Sequence, residues 1–342
     1  MDYRRYQESI MLLQSYYPDN GGSAIRKTRL PNSKSNLMLD IIVPAYNMEN
    51  YIDDCINSIL KQKTQYSFRI IIIDDGSSDS TGSRIDNYQN NNNVVIIHQK
   101  NGGLSAARNM GLIRSSAKYV MFVDSDDCLP RFAVEKMLNI AVSYNADIVA
   151  GSYCNFRVFK WIRKEYRQKE GILNSARDLK GHACAKVIRR SMFSNIQFPE
   201  KYWFEDSIMN QIMYPNAKII MGINDIVYYR RINLNSITRT SAGNVRSLDS
   251  LWVTLRLMKD REQLNMQCTD DYFEYLLDQI VLTQNRLSKL DAKIQRNAFY
   301  VMSYQINKRF SEFSTNRKSK LSLEEAIRKE DFDAFIRCVY GK

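Results

Sequence analysis

Short apolar runs, each ending in a polar cluster, set the rhythm of the first 150 residues. Leu39 to Ala45 reads Leu-Asp-Ile-Ile-Val-Pro-Ala, a strand stopped by Pro44. Arg69 to Ile73 sets four isoleucines in a row, a β-branched run suited to a strand covered on both faces. Val94 to His98 is a third strand, and Tyr119-Val120-Met121-Phe122-Val123 a fourth. Helical spacing fills the gaps. Ile52, Cys55, Ile56, Ile59 and Leu60 fall at i, i+3, i+4, i+7 and i+8 within Tyr51 to Lys63, which makes one apolar stripe. Further helices are predicted near Thr81 to Gln89, over Leu104 to Ser115 and from about Arg131 to Tyr144, with another short strand at Ile148 to Gly151. Repeated strand–helix alternation predicts βαβ units on a mostly parallel sheet with right-handed crossovers.

The two ends read differently. Residues 1–37 are polar, with one short helix expected from Tyr6 to Tyr16, and form an N-terminal extension. From Val245 onward the pattern is helical: Leu251, Trp252, Leu255 and Met258 share one face, and Phe273, Leu276, Leu277, Ile280 and Val281 another. Packing on the rest of the chain or on a second subunit is the expected use, with a membrane-surface contact as the alternative. Between 151 and 201 only composition is informative.

Three predicted strands end in polar clusters: Pro44-Ala45-Tyr46-Asn47, Asp74-Asp75-Gly76-Ser77 and Asp124-Ser125-Asp126-Asp127. In a parallel sheet the carboxyl ends of the strands share one edge, where open α/β sheets hold ligands. Asp124 and Asp126 offer hard oxygen donors to Mg²⁺ or Mn²⁺. The competing reading is that Ser125, Asp126 and Asp127 start the next helix as caps. Convergence with Tyr46 and Asp75 favours the metal, because capping explains neither of those. Neither G-x-G-x-x-G nor G-x-x-x-x-G-K-[ST] follows the first strand, so a dinucleotide fold and a P-loop are not expected. His98, within a strand, reads as structural.

Composition narrows the setting. The net charge is +12, with 49 Lys+Arg against 37 Asp+Glu. The surplus is uneven: residues 155–244 carry 16 basic against 7 acidic side chains, residues 245–342 carry 17 against 14. A basic middle, around Arg157, Lys160, Arg163, Lys164 and Arg167, suits an anionic acceptor or a lipid phosphate. Six cysteines are scattered without a C-x-x-C pair, which argues against a zinc site and a disulfide framework. With no apolar run long enough to span a membrane and no signal-like apolar segment at the start, a reducing cytoplasm is expected.

Four pieces in this order resemble glycosyltransferase family 2: Ile41-Ile42-Val43-Pro44-Ala45-Tyr46-Asn47, Ile73-Asp74-Asp75-Gly76-Ser77-Ser78-Asp79, Asn101-Gly102-Gly103-Leu104-Ser105-Ala106-Ala107-Arg108-Asn109-Met110-Gly111 and Phe122-Val123-Asp124-Ser125-Asp126-Asp127. The likeness extends less tightly to Trp203-Phe204-Glu205-Asp206 and to Tyr228-Tyr229-Arg230-Arg231 through Asn235-Ser236-Ile237-Thr238. It implies an α/β fold of the GT-A type, Rossmann-like with a mostly parallel sheet flanked by helices, and here a helical C-terminal extension. The catalytic domain would run over 38–244, with its nucleotide-binding half at 38–150 and its acceptor-binding half at 151–244.

The resemblance also implies roles. Pro44, Tyr46, Asp75, Arg108 and Asp124 would contact the nucleotide, with Tyr46 against the base and Asp75 accepting from the imide N–H of uracil. Asp126, with Asp124, would hold Mn²⁺ or Mg²⁺ at the diphosphate. Asp206 would be the general base of an inverting transfer, with Glu205 supporting it, its alternative role being a cap on a helix from Ser207 to Tyr214. Arg230 or Arg231 would add positive charge at the diphosphate or acceptor. Some members complete the metal site with a His after the Tyr-Arg element, which this chain lacks. The Gln-x-x-Arg-Trp element of processive synthases is also absent, which favours one sugar per encounter. The implied partners are a UDP-sugar donor and a saccharide, glycoprotein or lipid-linked acceptor of a surface glycan. Two other readings stand beside it. A sugar-1-phosphate nucleotidyltransferase would need a Gly-rich basic loop after the first strand, where Pro44-Ala45-Tyr46-Asn47 stands. A nucleic-acid-binding protein would use the +12 charge.

Overall fold

The computed structural model describes residues 2–31, 35–157, 160–173, 178–232 and 241–341, and the side chains of all these except 157 and 160–164. The Asn235 to Thr238 stretch therefore lies outside the described residues, as do the side chains of most of the basic middle cluster. The chain divides into two compact units. One comprises Ser23–Lys201 and Glu205–Asn233, the other Met1–Gly22, Tyr202–Phe204 and Leu234–Lys342.

The first unit is built on strands β1 (Leu39–Ala45), β2 (Phe68–Asp74), β3 (Val94–His98), β4 (Tyr119–Phe122), β5 (Ile148–Arg157), β6 (Lys160–Tyr166), β7 (Gly171–Ile172), β8 (Lys186–Arg189) and β9 (Ile220–Arg231). Their order in the sheet is β3-β2-β1-β4-β8-β5-β9-β7, with β6 paired to β5. The block β3-β2-β1-β4 is parallel. β8 runs antiparallel between β4 and β5, while β5 and β9 are parallel. The isoleucine run of β2 is fully buried from Ile70 to Ile73, as a strand covered on both faces requires. Helices α2 (Ile52–Leu60), α3 (Thr81–Asp86), α4 (Leu104–Arg114) and α5 (Ala133–Ser143) make the crossovers. Each is somewhat shorter than its apolar pattern, because the terminal turns fray into loops. β5 extends six residues past the expected end at Gly151. Beyond that point it pairs with β6 and β9 through register shifts, so its apolar run stops while its ladder continues.

Residues 23–31 join this unit. Ile25 bridges Ile196, the Arg26 N–H donates to the Asn195 carbonyl at 2.8 Å, and Ala24 is fully buried. His98 ties Asp74 to Asp86, at 2.8 and 3.0 Å, in the structural role expected of it.

The second unit is helical: α1 (Tyr3–Tyr16), Asp249–Gln263, Asp270–Leu287, Ala292–Arg309, Leu321–Arg328 and Phe332–Tyr340. Tyr6 stacks on Tyr304 with ring centroids 4.4 Å apart, and the Ser9 hydroxyl donates to Asn297 at 2.7 Å, fixing the first helix on the fourth. Phe273, Leu276, Leu277 and Ile280 are buried, as their spacing predicts. The strap Tyr202–Phe204 belongs here through the Trp203 N–H on Asp249 at 2.8 Å and Arg286 over the Phe204 ring at 3.6 Å. No helix among the described residues is long and apolar enough to cross a membrane.

Candidate active site

Parallel pairing brings the carboxyl ends of β1, β2 and β4 to one edge. Ala45 lies opposite Asp74, and the Asp75 N–H donates to the Ala45 carbonyl at 2.8 Å. Pro44 is buried within β1, while Tyr46 turns out of the sheet and is 46% exposed, a flat apolar face open to a ligand. Asn47 follows at φ +53° and closes the turn: its N–H donates to the Ser77 hydroxyl, and its side-chain oxygen accepts from the Ser78 N–H.

Asp75 is buried and fixed. Its Oδ1 accepts from Gln99 Nε2 at 2.7 Å and from the Gly102 N–H at 2.9 Å, and its Oδ2 from the Gly103 N–H at 2.7 Å. Gly103 stands at φ +87°, a conformation that favours glycine, and this turn presents both amides to one carboxylate. The loop before α4 is thus anchored to the end of β2.

One buried face of α4 grips a distant segment. Ser105 donates to the Pro199 carbonyl at 2.8 Å, and Asn109 exchanges two 2.9 Å hydrogen bonds with the Phe198 backbone. Arg108, three positions after Ser105 and one before Asn109, is 1% exposed, so it is neither a surface arginine nor solvated. Its Nη1 donates to Glu205 Oε1 at 2.8 Å and to Asp206 Oδ1 at 3.0 Å, and its Nη2 to Asp124 Oδ1 at 3.2 Å. Phe198 and Phe122 flank the guanidinium at 5.1 and 6.0 Å. Asp206 is thus engaged by Arg108, and the segment after it is π-helical over Met209–Met213.

Three carboxylates around one guanidinium strain each other's ionisation. Burial works against the charge of Arg108, yet Asp206, Asp124 and Glu205 hold its pKa well above the usual value. Glu205 is pushed up to about 7, first by burial and then by the charge of Asp206, with Arg108 opposing. Asp206 is also raised, by burial first and by Asp124 further on, again against Arg108. The two differ in access: the Glu205 side chain is 7% exposed, that of Asp206 31%. Of the pair, Asp206 is the one open to a substrate.

Tyr228 and Arg231 of β9 lace the acidic turn after β4. The Tyr228 hydroxyl accepts from the Asp124 N–H at 3.1 Å and donates to Asp127 Oδ2 at 2.7 Å. Asp127 Oδ1 accepts from the Arg231 N–H at 2.6 Å. Burial and the neighbouring Asp126 and Asp124 raise Asp127 well above the carboxylate range. The Arg231 guanidinium is buried between the Tyr51 and Phe156 rings, on the Asp126 carbonyl at 2.7 Å and on Asp54 at 3.1 Å. Arg230 points outward and is exposed.

Asp124 has partners on both oxygens, since Cys184 Sγ donates to Oδ2 at 3.2 Å. Asp126 is half-buried. Among the described residues, no group of three or more His, Cys, Asp and Glu is arranged to hold a metal ion. The two carboxylates nonetheless fit the kind of Mg²⁺ or Mn²⁺ site that uses one or two carboxylates and completes its shell with phosphate oxygens and water.

Sequence reasoning did not assign Asp127, Tyr228, Cys184, Lys186 or His182. Asp127 and Tyr228 stood inside quoted motifs, and the polar spacing of the Tyr-Tyr-Arg-Arg element could have flagged the second. The other three lie in the 151–201 region, where the chain offers no periodic signal.

Comparison with known proteins identifies the family. The model of the family described as "Glycosyl transferase family 2" matches residues 40–198. Glycosyltransferase GlyG of Streptococcus pneumoniae serotype 4 is 31% identical over 222 residues, covering 59% of this chain and 73% of that protein. Glycosyltransferase GlyA of the same organism is 32% identical over 219 residues, but this chain spans only 31% of its length. The crystal structure of Staphylococcus aureus TarS residues 1–349 in complex with UDP-GlcNAc shares the fold, with a TM-score of 0.72 at 20% identity over 89% of this chain and 90% of that one. With the family's matched region lying over β1, β2, α4 and β4, the elements that build the cleft, this chain belongs to glycosyl transferase family 2 and is a glycosyltransferase.

Proposed function

We propose that the protein is an inverting transferase that moves a sugar from a UDP-sugar to a surface-glycan acceptor, with Asp206 as general base. The observation that carries this is the Arg108 cluster. One buried cation draws together Asp124 at the strand end, buried Glu205 and solvent-open Asp206. Of the two neighbouring acids Glu205 and Asp206 only the second is accessible, and one accessible base suits a one-step displacement. The acceptor hydroxyl attacks the anomeric carbon in line, its proton passes to Asp206, and the bond to the diphosphate oxygen breaks with its electron pair leaving on the phosphate. Configuration at that carbon inverts. A raised pKa strengthens Asp206 as a base near neutral pH. Arg108 keeps the carboxylate aimed and limits how far its pKa climbs.

At the other end of the cleft, Tyr46 offers a ring for the uracil and Asp75 a carboxylate for its imide N–H. Arg230, exposed at the end of β9, is the better placed of the two arginines to meet a phosphate, since Arg231 is committed to Asp54 and the Asp126 carbonyl. Asp126, with Asp124, would hold a divalent cation, which when bound neutralises charge on the departing diphosphate. We assign catalysis to residues 38–244, apart from the strap Tyr202–Phe204 that belongs to the helical unit, and treat residues 1–22 and 245–342 as extensions, since residues 23–31 belong to the first unit. TarS is named a poly(ribitol-phosphate) β-N-acetylglucosaminyltransferase, which supports a cell-surface polymer as acceptor class.

A thermal-shift panel of UDP-, GDP- and dTDP-sugars, each with and without Mn²⁺, tests the donor. We expect UDP-sugars to stabilise the protein most, and Mn²⁺ to add to that shift while doing little alone, because two carboxylates bind weakly until phosphate oxygens join them. A larger shift from GDP- or dTDP-sugars would refute the donor assignment.

A further inference from the structure

The loop before β8 holds a side chain that the proposed chemistry leaves unused. His182 Nδ1 lies 3.0 Å from the carbonyl oxygen of Cys184. A carbonyl only accepts, so Nδ1 carries the proton and Nε2 keeps a lone pair. Nε2 is buried and has no hydrogen-bond partner among the described residues. Burial first, and then the charge of Lys186, hold the imidazole well below its usual pKa, so the ring is neutral.

This acceptor is held rigidly. The Tyr153 ring meets the imidazole edge-on, with centroids 5.2 Å apart. The His182 carbonyl accepts from the buried Lys186 ammonium at 2.7 Å, and the Cys184 carbonyl from the same group at 3.2 Å. The loop also abuts the site: Cys184 bridges Phe122 at the end of β4, and its thiol lies on Asp124. Arg108 and Arg230 are near enough to bias the imidazole electrostatically. A buried acceptor without a donor destabilises the fold for as long as it stays unpaired. The cationic surroundings exclude a charged amine and favour a neutral O–H or N–H donor.

We infer that His182 Nε2 accepts a hydrogen bond from a hydroxyl or acetamido N–H of the sugar carried by the nucleotide, and so helps to select that sugar, an assignment that rests on the UDP-sugar reading above. The donor side is favoured because the loop's thiol sits on Asp124, the carboxylate placed with the nucleotide.

The test is calorimetric: Kd values for UDP, UDP-glucose, UDP-galactose and UDP-GlcNAc on the wild type, H182F and H182Q. We expect at least one UDP-sugar to bind the wild type more tightly than UDP. H182F then loses about tenfold affinity for that UDP-sugar, the worth of one hydrogen bond left unmade, and less than twofold for UDP. H182Q, whose amide oxygen accepts in much the same place, recovers most of the loss. H182L supplies a second removal of the acceptor should H182F not fold. Equal losses for UDP and UDP-sugar, no loss at all, or a wild type that holds no UDP-sugar more tightly than UDP would each overturn the inference. A wild type that binds no UDP refutes the UDP-sugar reading itself, a result distinct from all of these.

Discussion

Arg108 serves three carboxylates with two terminal nitrogens, and Glu205 is the most deeply buried of the three acids. That has a consequence for stability. Glu205 titrates near 7 in the folded chain and near 4.5 when unfolded, so between those values the folded state binds more protons than the unfolded one. Stability from this group is therefore lost as pH rises through that window, with a slope of up to about 1.4 kcal/mol per pH unit. E205Q removes the titration. Urea unfolding of both proteins should show the stability of E205Q relative to wild type rising from about pH 5 to 7 and flattening above; a difference independent of pH would mean that Glu205 is ionised throughout. None of this network was legible in the sequence. Arg108 read equally well as a surface residue, because a helix pattern does not reveal which polar face meets a segment 90 residues away. Asp124 was legible because its cluster ends a buried strand and converges with Tyr46 and Asp75, whereas Glu205 and Asp206 were marked chiefly by the family resemblance.

At the scale of elements, α4 is the bridge between the sheet and the segment that carries the proposed base. Ser105, Arg108 and Asn109 form its gripping face. On its sheet side Gly111 lies against Ile42, where an added Cβ would come within 2.3 Å of Ile42 Cγ2. The helix reaches β1 this closely only because residue 111 has no side chain. G111A should cost roughly 1–3 kcal/mol by overpacking. Pairing it with I42A, which removes the clashing Cγ2 and Cγ1, should cost less than the sum of the two single changes, as chemical denaturation would report. An additive double mutant would show that the contact is not limiting. The parallel block β3-β2-β1-β4 was legible because strands covered on both faces carry continuous apolar runs. β8, with two apolar residues between Lys186 and Arg189, and the outer half of β5 were not, because their ladders are set by partners rather than by local pattern.

For the molecule as a whole, the order of motifs along the chain maps onto one sheet edge, and that ordered set, more than any single motif, made the family visible. The +12 charge said little about function: the cleft itself is lined by acids balanced on Arg108, while basic side chains elsewhere serve fold contacts such as Arg231 on Asp54 and Lys186 on backbone carbonyls. The helical unit was legible as helices from apolar spacing at Phe273, Leu276, Leu277 and Ile280, but its inclusion of Tyr202–Phe204, immediately before Glu205, was not. The account as a whole turns on proton removal by Asp206, and D206N tests it most directly. UDP release in the presence of a surface-polymer acceptor, followed alongside the Kd for UDP, separates chemistry from binding. The expected result is a kcat lowered at least about a hundredfold with the Kd changed by no more than a few-fold. A D206N protein that turns over within a few-fold of wild type would contradict the account.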